Sequence, residues 1–136
     1  MKVLICGSRD WKNREIICSW LSKLQNWRFD TVIEGEAKGA DSIARDEAEK
    51  MGVVILKFPA DWNKYHKAAG VIRNKQMLEE GRPDLIVAFH DNIENSKGTK
   101  DTIQQGLRLK IPVILVDLQG SYNLKSCQEF QNFRRG

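Results

Sequence analysis

The chain has 136 residues, of which 41% are hydrophobic and 29% charged, with a formal net charge of +4. That size and balance fit one globular domain and exclude a disordered chain. No apolar run approaches the ~20 residues that cross a bilayer. The positive charge is spread along the chain, without the basic stripe that tracks a nucleic-acid backbone, so it favours anionic partners in general.

Short β-rich runs alternate with longer helical patterns. Strands are predicted at residues 3–6, 31–34, 53–58, 85–89 and 113–117, and helices at about 12–27, 40–51, 67–80 and 99–109. The short apolar run at the N-terminus leads straight into Gly7-Ser8-Arg9-Asp10, so it is read as a first strand rather than a signal peptide. The first helix places Ile16, Trp20, Leu24 and Trp27 on one stripe. Gly52 and Gly81-Arg82-Pro83 mark helix ends. The runs Leu-Ile-Val-Ala-Phe at 85–89 and Val-Ile-Leu-Val at 113–116 suit strands buried on both faces of a parallel sheet. The pattern predicts an α/β fold, a three-layer Rossmann-like doubly wound sheet of about five parallel strands in the order 3-2-1-4-5. Residues 1–117 form the domain, and 118–136 are expected to be a C-terminal helix or tail packed on it.

Three cysteines, Cys6, Cys18 and Cys127, form neither a CxxC pair nor an even framework. They point to reduced thiols in the cytoplasm, with Cys6 and Cys18 as core fillers. His66 and His90 do not supply metal-ligand spacing, so no metal and no cofactor are expected.

In a doubly wound sheet, ligands bind outside the carboxyl ends of the strands where the winding reverses. After the first strand, Gly7 permits close approach, Ser8 offers a hydroxyl and Arg9 a planar fork. After the second, Gly35 and Gly39-Ala40-Asp41 open a helix, a natural anion site, although Asp41 could equally serve the helix start. After the third come Trp62 and Tyr65, able to stack on a base, with Arg73-Asn74 following. After the fourth, Ser96-Lys97-Gly98-Thr99 stand at a helix start, with Thr99 as its cap.

Taken in order, Gly7-Ser8-Arg9, Gly35 to Ala37 with Gly39-Ala40-Asp41, Pro59 to Trp62, Ala68 to Gly70, Ile72-Arg73-Asn74 with Met77, Phe89-His90, and Ser96 to Asp101 resemble the SLOG superfamily, in particular its small YspA-like group. The resemblance covers about residues 1–117. It implies a Rossmannoid fold, a nucleotide-derived ligand in the strand-end pocket, and self-association as dimers or higher oligomers. The wider superfamily includes cytokinin-activating phosphoribohydrolases and the DNA-processing protein DprA. The group's pattern has glycine where Glu36 and His66 stand, and proline where Val71 stands. The phosphoribohydrolases carry PGGxGTxxE with a catalytic glutamate, and Thr102 occupies that position here. Asp101 lies one residue away, about 100° around a helix.

Three readings follow. The first is a sensor or sequestering module, using Gly7, Ser8, Arg9, Gly35, Gly39, Ala40, Asp41, Trp62, Arg73, Asn74, Ser96, Lys97, Gly98 and Thr99. The second is a hydrolase or transferase at a nucleotide N-glycosidic bond, with Asp41, Asp61 or Asp101 as the carboxylate. The third, single-stranded DNA binding like DprA, is disfavoured by the modest charge.

Overall fold

The computed structural model describes residues 1–125 of the chain. Its strands are β1 (Lys2–Gly7), β2 (Thr31–Glu34), β3 (Val54–Lys57), β4 (Leu85–Phe89), β5 (Val113–Val116) and β6 (Tyr122–Lys125). The helices are α1 (Arg14–Gln25), α2 (Ala40–Lys50), a single turn α3 (Trp62–Tyr65), α4 (Ala69–Glu79) and α5 (Gly98–Arg108). The sheet order is β3-β2-β1-β4-β5-β6, parallel from β3 to β5. This is the Rossmann-like doubly wound arrangement the alternating pattern predicts. Among the described residues, no helix is long and apolar enough to cross a membrane.

Alternation along the strands builds two cores. Val3 and Ile5 of β1 face Ile17, Trp20, Leu21 and Leu24 of α1 and Ala40, Ile43, Ala44 and Ala48 of α2. Leu4 and Cys6 face Met77 and Leu78 of α4 and Ile103 of α5. Every residue of β4 is buried, as a central parallel strand requires.

Three expectations need correction. The buried stripe of α1 is Ile17, Trp20, Leu21 and Leu24, with Ile16 and Trp27 only partly buried at its margin, because the helix ends at Gln25. The third helix does not begin at residue 67: Trp62–Tyr65 forms one turn and His66–Ala68 a 3₁₀ turn before α4 starts. Residues 118–125 are neither helix nor tail. Asp117 Oδ1 accepts the N–H groups of Gln119 and Ser121, turning the chain back so that β6 pairs antiparallel with β5. Tyr122 then meets Trp20 edge-on at 5.1 Å. Residues 126–136, with Cys127, lie outside the described residues.

The two positions where the family pattern has glycine keep a glycine-like backbone: φ is 56° at Glu36 and 51° at His66. His66 also has ψ −127°, a combination that L-residues with a Cβ rarely adopt. The strain there costs about 1–3 kcal/mol, partly offset by the extra freedom of an unfolded glycine. His66→Gly is therefore expected to stabilise the fold by about 1 kcal/mol and raise Tm by about 3 °C in a thermal melt. Val71 falls in the first turn of α4, where the family's proline would be tolerated.

Candidate functional site

The winding reverses between β1 and β4, which pair from Val3↔Leu85 to Gly7↔Phe89. Outside their carboxyl ends lies a cavity of about 480 Å³. Gly7 permits it by allowing close chain approach. A Cβ there would fall 2.3 Å from the Phe89 carbonyl oxygen and 2.8 Å from Ala40 Cβ. Ser8 donates its N–H to the Phe89 carbonyl at 2.8 Å, and its own carbonyl accepts the N–H groups of Trp11 and Ala40. The Ser8 hydroxyl oxygen accepts the Asp10 N–H at 3.0 Å, leaving its O–H to donate into the cavity it lines. Arg9 is exposed at the rim. His90, directly after β4, accepts the Asn92 N–H on Nδ1 at 2.9 Å, so its proton sits on Nε2. Burial lowers its pKa, against the opposite pull of Asp91 and Asp10.

The loop after β2 does not present the anion cradle its small residues suggest. Asp41 Oδ2 accepts the N–H groups of Gly35 at 3.0 Å and Ala37 at 3.3 Å. Glu34, fully buried, accepts the Glu36 N–H on Oε2 and faces Arg45 at 3.5 Å. The protein's own carboxylates thus occupy these donors. Burial raises the pKa of both acids, with the amide donors pulling the other way. Gly35, Gly39 and Ala40 are not part of the cavity wall, whereas Asp41 and Ala37 are.

Trp62 and Arg73 come from α3 and α4. Trp62 is half exposed on the cavity rim, and Tyr65 lies away from it. Arg73 donates from Nη1 to the Gly35 carbonyl at 2.6 Å and from Nε to Asn74 Oδ1 at 3.0 Å. Asn74 is buried and donates from Nδ2 to the Gly98 carbonyl at 3.3 Å and to Asp101 Oδ2 at 3.0 Å. One chain of hydrogen bonds therefore ties the loop after β2 to the start of α5.

At that start, Ser96 rather than Thr99 caps the helix: its hydroxyl oxygen accepts the Thr99 N–H at 3.1 Å. Thr99 sits buried within the first turn because Lys97 and Ser96 precede the helix. The N–H groups of Lys97 and Gly98 have no acceptor among the described residues, and both residues line the cavity. Unpaired amides at a helix start suit an anion. Thr102 also lines the cavity, its hydroxyl bonded to the Gly98 carbonyl at 3.2 Å. Asp101, one position earlier, turns out of it toward Asn74 and Gln105, whose Nε2 donates to Oδ2 at 2.7 Å. Asp61 is also outside, capping α3 through the Lys64 N–H at 3.0 Å. Of the three candidate carboxylates, Asp41 alone reaches the cavity.

The structure thus gathers Gly7, Ser8, Arg9, Asp41, Trp62, Arg73, Asn74, Ser96, Lys97, Gly98 and Thr99 around one cavity. It adds Cys6, Asp10, Lys67, Gly70, Met77 and His90. His90 was signalled by its place after β4. Lys67 was not, because only the 3₁₀ turn before α4 brings it to the rim. Four cations, Arg9, Lys67, Arg73 and Lys97, line the wall against two acids, Asp10 and Asp41, which leaves a positive surplus.

Comparison with known proteins agrees with this architecture. Residues 1–65 match the YspA, cpYpsA-related SLOG family (YAcAr). The Gene 61 protein of Mycobacterium phage D29 is 36% identical over 120 residues, spanning 83% of this chain and 94% of the phage protein. With β1, α1, β2, α2, β3 and α3 inside the matched segment, and that identity continuing across most of the rest, the chain belongs to the YspA, cpYpsA-related SLOG family.

Proposed function

We propose that the strand-end cavity binds a nucleotide or nucleotide-derived ligand, and that the protein works as a sensor or sequestering module. The observation that carries this reading is the pair of unpaired amides of Lys97 and Gly98 at the start of α5. They belong to two residues that line a cavity whose wall has more cations than acids. The ligand's phosphate lies there, with the hydroxyls of Ser8 and Ser96 as further donors and Trp62 as a stacking face for the base. A volume of about 480 Å³ is within the range of small-molecule sites. Family membership supports the same class of ligand.

The alternative, a hydrolase or transferase at an N-glycosidic bond, has Asp41 as its carboxylate. Asp41 already spends one oxygen on two backbone N–H groups, and Thr102 supplies no acid at the position where related enzymes keep a glutamate. Binding without turnover is therefore the favoured reading.

Purified protein is to be heated and the released small molecules identified by mass spectrometry, alongside thermal melts with a nucleotide panel. A bound nucleotide at 100-fold its Kd is expected to add about 2.7 kcal/mol of stability. Lys97→Ala, which removes a cation from the wall, and Ser8→Ala, which removes a hydroxyl donor, should each weaken the ligand-induced rise in Tm. No retained ligand and no thermal response to any nucleotide would overturn the proposal. Free base or ribose phosphate accumulating during incubation would replace it with the enzyme.

A further inference from the structure

Asp41 has a second oxygen that the fold leaves unused. Asp41 is 5% exposed, at the first turn of α2, and it lines the cavity. Oδ2 accepts both the Gly35 and Ala37 N–H groups, which hold the loop after β2. Oδ1 has no donor among the described residues: Arg73 attracts it electrostatically, but its hydrogen bonds go to the Gly35 carbonyl and Asn74. A buried carboxylate oxygen accepts only, and leaving it unpaired is costly. The cavity must therefore deliver a donor to it.

Charge selects the kind of donor. Arg73 already balances Asp41, and the wall has a surplus of cations, so an ammonium group would meet net repulsion. A neutral O–H donor does not. The adjacent start of α5, joined to Arg73 through Asn74, is the place for an anion in the proposed function. A ligand that sets a phosphate on α5 and a neutral hydroxyl on Asp41 is a phosphorylated sugar.

We propose that Asp41 Oδ1 accepts a hydrogen bond from a ribose hydroxyl of the bound ligand, so that the site selects ribonucleotides over deoxyribonucleotides. This rests on the nucleotide-binding reading above and adds to it the sugar specificity and the residue that sets it. Asp41 then has two duties on its two oxygens, holding the loop with one and reading the sugar with the other.

The test is calorimetric titration of the full chain with AMP, 2′-deoxy-AMP, 3′-deoxy-AMP, IMP and ribose 5-phosphate. AMP is expected to bind at least about tenfold tighter than the deoxy analogue that lacks the contacted hydroxyl, since a hydrogen bond to a charged group is lost. AMP and IMP should bind alike with respect to Asp41. Asp41→Asn keeps an oxygen for Gly35 and Ala37 but places an amide where Oδ1 stood. It should bring AMP and the weaker deoxy analogue to within about twofold of each other. The wild-type comparison needs no variant, so a folding defect in Asp41→Asn leaves the test intact. Equal affinity for AMP and both deoxy analogues would overturn the sugar contact while nucleotide binding stands. A preference that follows the amino group, AMP over IMP, and persists without the hydroxyl would reassign Oδ1 to the base and overturn it too. No binding by any of the five would overturn the sugar contact, and nucleotide binding itself would then be decided by the retained ligand and the thermal panel above.

Discussion

Replacing Gly39 by alanine is expected to cost about 3 kcal/mol or more, lowering Tm by about 10 °C. Gly39 precedes α2 with φ 76° and ψ −122°, a backbone state that an L-side chain rarely adopts. A Cβ there would also fall 2.3 Å from the Ser8 carbonyl oxygen and 2.6 Å from that of Arg9. Those atoms are backbone, so no rotamer change relieves the collision. The Ser8 carbonyl is the acceptor for the Ala40 N–H that docks α2 against the end of β1. Displacing it would also shift Ser8 and Asp41 at the cavity, so ligand binding should fall along with stability. A thermal melt checks the first effect and a nucleotide titration the second. An unchanged Tm would show that the junction adapts without loss.

The second large effect is expected at Arg73. Arg73→Met keeps the length of the side chain but removes the charge, the hydrogen bond to the Gly35 carbonyl and the one to Asn74. It also removes the attraction that partly offsets the burial of Asp41. The combined loss is about 3 kcal/mol at neutral pH, of which the charge-assisted hydrogen bond accounts for about half. The pH dependence has a definite sign. Burial raises the Asp41 pKa in the folded protein above its unfolded value, so the folded state holds the proton more tightly. Stability from this group is fully present below the ordinary carboxylate range and is lost as pH rises through the raised folded value. Without Arg73 that pKa rises further. The deficit of Arg73→Met relative to wild type should thus be smallest in acid and grow toward neutral pH. Denaturant melts across that range would measure it, and a deficit independent of pH would locate the loss in the hydrogen bonds alone.

Cysteine and surface chemistry have milder consequences. Cys6 lies on the cavity floor, but burial raises its thiol pKa far above the ordinary range, so it contributes packing rather than a nucleophile. Glu47 is the opposite case: Arg14, Lys50 and Cys18 donate to it and lower its pKa to about 2, tying α1 to α2 on the face away from the cavity.

Alternating apolar runs and helix-length patterns determined the sheet, because strands buried on both faces need continuous hydrophobic sequence and helices need a periodic stripe. Right-handed crossovers allow more than one strand order; the Rossmann-like one, which the structure has, sets the place where Gly7-Ser8-Arg9 and Ser96 to Thr99 meet. The family resemblance, rather than any local pattern, marked Glu36 and His66 as glycine positions held by other residues. Tertiary structure decided the rest. Whether the amides after β2 were open to a ligand depended on where Glu34 and Asp41 turned their oxygens, and that was fixed only when α2 packed back on the sheet. One residue of helical rotation, set by the packing of α5 on α4, sent Asp101 to Asn74 and left Thr102 in the cavity. The polar Tyr122–Lys125 segment became a strand because β5 offered it an open edge, a partner that no local pattern displays. The strand-end pocket was legible because the path of the chain creates it. The identity of its free donors and acceptors was not, because each depends on which partner claims an atom first.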